Sequence, residues 1–171
     1  MNHYTIIQEL SSNSGTFKSL LQGLNPEQFL WKPAPEKWCL LEIVCHLNDE
    51  EIEDFRTRTK HVLENLPEAL KPIDPPGWVS ERKYIEQSYT HVLNQFLYKR
   101  QQSVNWLNSL SNPKWENSII HDEVGLMTAE MFLANWLAHD YLHIRQILKL
   151  KYDYLSQNSG MTLAYAGGVW L

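Results

Sequence analysis

The stretch TAEMFLANWLAHDYLHIRQI, residues 128–147, decides the reading of this chain. Phe132, Trp136, His139, His143 and Ile147 follow one another at spacings of four, three, four and four, the repeat of one face of an α-helix. Thr128 stands where an N-cap belongs, and the periodic pattern runs on to about Leu150. Two histidines therefore lie inside an apolar stripe and point inward. Helical residues four apart present their side chains about 6 Å from each other on one face, close enough for two imidazoles to share one metal ion. Asp140 interrupts the neighbouring stripe of Leu133, Leu137, Ile144 and Leu148, which pushes a carboxylate toward the interior, where it needs a partner.

Three further stretches carry the same period. Ile6, Leu10, Phe17, Leu21 and Leu24 mark a first helix that ends at Gly23 and Asn25-Pro26. A second runs from Cys39 to about Leu66 through Ile43, Val44, Leu47, Phe55 and Val62, with Glu42 placed for the second half of a capping box and Pro67 as the stop. Residues 67–79, PEALKPIDPPGWV, hold four prolines and read as a non-helical connection. Ser80 is the expected cap of a third helix, striped by Ile85, Tyr89, Val92, Phe96, Leu107 and Leu110 and closed by Asn112-Pro113. No β-alternation of any length competes. The expected fold is all-α: one four-helix-bundle domain over residues 1–171, with long connections and a short C-terminal extension. That extension, ending in LAYAGGVWL, is too apolar for a solvated tail and is expected to pack on the bundle or on a partner subunit.

Composition narrows the function. With 171 residues, 43% hydrophobic and 20% charged, the chain is large enough to bury a core without disulfides. Cys39 and Cys45, six apart in one helix, point about 120° from each other and are not expected to bridge. A formal charge of −5 argues against an extended phosphate-binding surface, so nucleic acid is a poor partner. No apolar run is long enough to span a membrane, and the N-terminal MNHYTIIQELSSNSG does not read as a secretory signal. The expected location is the cytoplasm.

An isolated H-x-x-x-H pair is often no more than two hydrogen-bonded core histidines. His46 changes that weighing, because it flanks the Ile43–Leu47 face of the second helix and can supply a third ligand from across the bundle. Three neutral imidazoles leave at least one position open on zinc, nickel or iron, the pattern of a catalytic metal site. Asp140 is the candidate to orient a ligand or accept a proton there. Glu50, four residues after His46, could accept from its ring or add a ligand, although solvation is the simpler expectation for it; Gln146 could hydrogen-bond near the site. His3, His61, His91 and His121 read as surface residues. Trp31, Trp38 and Trp78 could frame a pocket mouth or simply pack.

EKWCLLEIVCHLNDEE, residues 36–51, together with residues 128–147, resembles the DinB-like family of bacterial four-helix-bundle proteins, YfiT type. The resemblance rests on Trp38 before the second helix, the His46-Leu47 pair, the histidines 139 and 143, and Arg145-Gln146-Ile147 after them. It implies a bundle in which His46, His139 and His143 hold one divalent metal and act on a small-molecule substrate. Some relatives are transferases or isomerases that use a low-molecular-weight thiol as cosubstrate, and a homodimer is common. Cys39 stands where such proteins often carry serine, and Asp140 where they often carry glutamate. The competing expectation is a non-catalytic metal-binding or stress-response module whose site is structural or vestigial.

Overall fold

The computed structural model describes residues 2–122 and 124–167. Four long helical stretches dominate it: α1 (His3–Leu21), a second helix built from α3 (Leu40–Glu50), a π-helical segment (Glu51–Arg56) and α4 (Thr57–Leu63), then α6 (Tyr89–Ser109) and α7 (Ala129–Asn158). Short helices α2 (Pro26–Phe29) and α5 (Pro75–Glu81) lie in the connections. α1 packs on α6 and α7, and the second helix packs on the same two, so the first two long helices face each other across the bundle. A chain that must cross a bundle between consecutive helices needs long connections, which accounts for the loops on either side of the second helix.

Most of the expected stripes form the core, whereas Ile85, which precedes the third long helix, and Leu66, beyond the end of the second, are exposed. Leu10, Phe17, Leu21, Ile43, Phe96, Leu133, Trp136 and Ile147 are all fully or almost fully buried. Thr128 caps α7 by accepting the Met131 N–H at 3.2 Å, and the Glu42 carboxylate accepts the Cys39 N–H at 2.8 Å at the start of α3. Both cysteines are buried and free.

Three boundaries differ from expectation, each for a local reason. The proline-rich connection does contain a helix, α5: Pro75 and Pro76 occupy its first turn, where no N–H is needed, and Asp74 accepts the Gly77 N–H at 3.1 Å. Ser80 lies inside that helix and donates to the Gly77 carbonyl, so it caps nothing. Lys83, at φ 48°, breaks the path, and α6 begins after Ser88. Between α6 and α7 the chain forms an antiparallel hairpin, β1 (Ser118–His121) with β2 (Gly125–Thr128), in the register Ser118 opposite Thr128. Each strand is only four residues long and mostly surface-facing, too short for alternation to register in sequence. Of the apolar C-terminal stretch, Met161 and Tyr165 are fully or largely exposed rather than packed on the bundle; residues 168–171 lie outside the described residues. No helix among the described residues is long and apolar enough to cross a membrane.

A polar layer divides the core. Arg100 of α6 is 1% exposed and reaches all three other long helices. Its guanidinium donates to Asp140 of α7 at 2.6 and 2.8 Å, to Glu51 of the π segment at 2.9 Å and to the Leu10 carbonyl of α1 at 3.3 Å. Asn13 of α1 donates to Asp140 at 3.1 Å, and the Trp136 indole N–H to Glu51 at 3.2 Å. One apolar cluster, with Phe17, Leu47, Phe96 and Ile147, lies to one side of this layer, and another, with Leu10, Phe55, Val104 and Leu137, to the other. Removing the arginine leaves two buried carboxylates uncompensated. Arg100→Met is expected to lower the free energy of unfolding by about 3–5 kcal/mol, read from urea titrations at neutral pH.

Candidate metal centre

His46 comes from α3, and His139 and His143 come from α7 one turn apart. Their Nε2 atoms converge. His139 Nε2 lies 3.3 Å from that of His46 and 3.0 Å from that of His143, and one donor nitrogen from each ring lies within 4.8 Å of the other two. The Gln146 Oε1 lies 2.8 Å from His143 Nδ1, which makes Nδ1 the protonated nitrogen and leaves the Nε2 lone pair facing the cluster. Trp38 stacks at a tilt 5.0 Å from His46, and Phe55 lies 4.8 Å from His139. Aromatic rings thus pack against two of the three imidazoles.

Burial is the dominant electrostatic influence. It pushes all three imidazoles down from the ordinary 6.5 to about 4, and their mutual proximity adds to the effect at His46 and His143. Neutral imidazole is the ligand form. Three lone-pair donors pressed together are poorly satisfied by one another, and His46 Nδ1 is buried without a hydrogen-bond partner. The donor set fits a divalent cation of the borderline class, such as zinc, nickel or iron.

Asp140 takes a different part from the one its position in sequence suggested. It is completely buried, and Arg100 and Asn13 occupy its oxygens, so its acceptor capacity belongs to the polar layer. The carboxylate beside the imidazoles is that of Glu50, with Oε2 3.1 Å from His139 Nε2 and 3.8 Å from His46 Nε2. Glu50 is buried rather than solvated, and burial raises its pKa. Its spacing of four from His46 was the available signal. Of the three tryptophans considered for a pocket mouth, Trp38 reaches a histidine; Trp31 packs edge-on against Tyr154 and Trp78 lies under the Arg82 guanidinium. His3, His61, His91 and His121 stay outside the cluster; His61 is buried, against expectation, while His3 stacks on Trp115.

A bundle with interior histidines contributed by its second and last helices defines a class of metal-binding four-helix proteins. The chain belongs to the DinB superfamily, whose family model matches residues 9–147. Among solved structures, YfiT from Bacillus subtilis is similar with a TM-score of 0.76 and 19% sequence identity, covering 94% of this chain and 89% of that one. YfiT is described as a probable metal-dependent hydrolase with an unusual four-helix bundle topology. At that identity the likeness speaks for the fold. No curated protein matches the sequence.

The lowered imidazole pKa values set a pH dependence. In the metal-free protein the unfolded chain protonates these rings below about pH 6.5, while the folded chain holds them neutral until about 4. Stability is therefore retained above that window and lost as pH falls through it. His143→Gln removes one such ring and is expected to lose less stability than wild type between pH 7 and pH 4.5, measured by urea midpoints in the presence of a chelator.

Proposed function

We propose that the protein is a metal-dependent enzyme acting on a small molecule with an electrophilic centre, with His46, His139 and His143 as the ligands of one divalent ion. The observation that carries this reading is the convergence of three Nε2 atoms, 3.0 and 3.3 Å apart, on buried imidazoles held neutral. A divalent ion held by three imidazoles keeps a coordination position open and supplies Lewis acidity there, so that water or a thiol ionises near neutral pH or a substrate oxygen is polarised.

The chain's own residues have distinct tasks in this scheme. The Gln146 hydrogen bond fixes the tautomer and rotation of His143. Trp38 and Phe55 exclude water beside two of the rings. His139, with a side chain 19% exposed, is the most open of the three and marks the side from which substrate enters. Cys39 and Cys45 do not supply a nucleophile: both thiols are buried, and burial pushes them up to about 11 and about 12. The attacking group therefore comes from solution, as water in a hydrolase or as a low-molecular-weight thiol in a transferase or isomerase. The description of YfiT as a probable hydrolase favours water.

Untagged protein is expected to carry one divalent ion per chain by elemental analysis, and His46→Ala or His143→Ala to carry none. Zinc at about one hundred times its dissociation constant is expected to add about 2.7 kcal/mol to the stability of wild type and nothing to that of the variants. A panel of esters, amides and alkylating electrophiles, assayed with and without added thiol, separates the two nucleophiles. Turnover that persists in His46→Ala would contradict the reading.

A further inference from the structure

Four carboxylates are buried among the described residues: Glu42, Glu50, Glu51 and Asp140. A charge withdrawn from water is costly unless an opposite charge meets it. Three of the four meet one. Lys32 Nζ lies 2.7 Å from Glu42, and Arg100 holds Glu51 at 2.9 Å and Asp140 at 2.6 Å. The half-buried acids follow the same rule, with Arg82 on Asp49 at 2.7 Å and Arg58 on Asp54 at 2.8 Å.

Glu50 is the exception. It is 5% exposed, and among the described residues no lysine or arginine nitrogen lies within 4 Å of it. Its nitrogen neighbours are His139 Nε2 and His46 Nε2, the same atoms that the three rings turn toward one another. A neutral imidazole has one N–H, and that of His143 is committed to Gln146. The protein thus places a buried carboxylate against the imidazole cluster with no lysine or arginine in contact with it; Arg58 acts on it only from beyond 4 Å.

We propose that Glu50 is the anionic member of the metal centre, its carboxylate compensating the ion that the three histidines hold. The inference rests on the metal reading above and deepens it, turning a three-histidine site into one of three histidines and a carboxylate. With a divalent ion bound, one carboxylate would lower the net charge of the site to a single positive charge, and the ion's Lewis acidity would still be available to a water or thiol. It also disfavours monovalent soft ions, since the site adds a hard oxygen to its nitrogens. The preceding turn makes the placement possible: Glu50 ends α3 where the π segment begins, so Glu50 turns to the histidines while Glu51, the next residue, turns to Arg100.

The test uses the full chain, zinc as the probe, and two readings: affinity by chelator competition and metal-free stability by urea titration. Glu50→Gln is expected to weaken zinc binding by about 10- to 100-fold while leaving the metal-free protein as stable as wild type or more so, because a buried carboxylate with no cation in contact is gone. Glu42→Gln, which removes a buried carboxylate already engaged by Lys32 and the Cys39 N–H, is expected to leave zinc affinity unchanged and to lower the metal-free stability. Glu50→Asp keeps the charge and recovers part of the affinity. Wild-type zinc affinity in Glu50→Gln overturns the inference, and so does a loss of metal-free stability like that of Glu42→Gln, which would make Glu50 the structural partner of a protonated His139. If wild type itself binds no zinc, the metal reading fails and the role of Glu50 falls with it; if wild type binds and Glu50→Gln matches it, only the role of Glu50 is lost.

Discussion

Arg100 crosses the interior of the bundle and ties its four long helices at one level, through Asp140, Glu51 and the Leu10 carbonyl. Ion pairs this deep are poor sources of net stability, because the desolvation of three charges offsets most of their attraction. Their effect is on register and rotation. Apolar side chains tolerate sliding by a turn, whereas a guanidinium with a carboxylate on each edge does not. Fixing Asp140 on one side of α7 sets the rotation of that helix about its axis, and His139 and His143 are thereby presented to α3.

The same device operates twice. His139 and Asp140 are neighbours in sequence, as are Glu50 and Glu51, and successive helical residues diverge by about 100°. In each pair one residue is held by Arg100 and the other lies at the imidazole cluster. The polar layer and the candidate metal centre are thus two faces of the same helical turns. A disturbance of the layer reaches the centre through one peptide bond, and the π segment that starts at Glu51 lies at this junction. Such segments recur at functional sites because they redirect side chains without ending the helix.

Much of this arrangement is legible in sequence, and the parts that are not have physical reasons. The stripes through Phe17, Ile43, Phe96 and Trp136 specify four helices because burial imposes a helical period on apolar residues. His46, His139 and His143 were visible as ligand candidates because they interrupt those stripes at helical spacing. Asp140 announced a buried carboxylate, yet its partner did not announce itself: Arg100, four residues after Phe96, reads as a solvated charge unless the acids across the bundle are known. Glu50 was ambiguous for the same reason, since burial of a single acid is decided by what the other helices bring to it. The hairpin and α5 are short elements whose formation depends on local capping and on packing beneath them, and such elements carry little periodic signal.

Three imidazoles from two helices converge here, and on the proposed reading they hold one metal ion. X-ray absorption at the metal edge of untagged, metal-loaded protein tests it most directly. The expected first shell holds nitrogen and oxygen scatterers at about 2.0–2.2 Å for zinc, with the outer-shell pattern of three imidazoles, which is lost in part when His143 is replaced by alanine. A sulfur scatterer from Cys39 or Cys45, or a shell that does not change when His143 is removed, would contradict it.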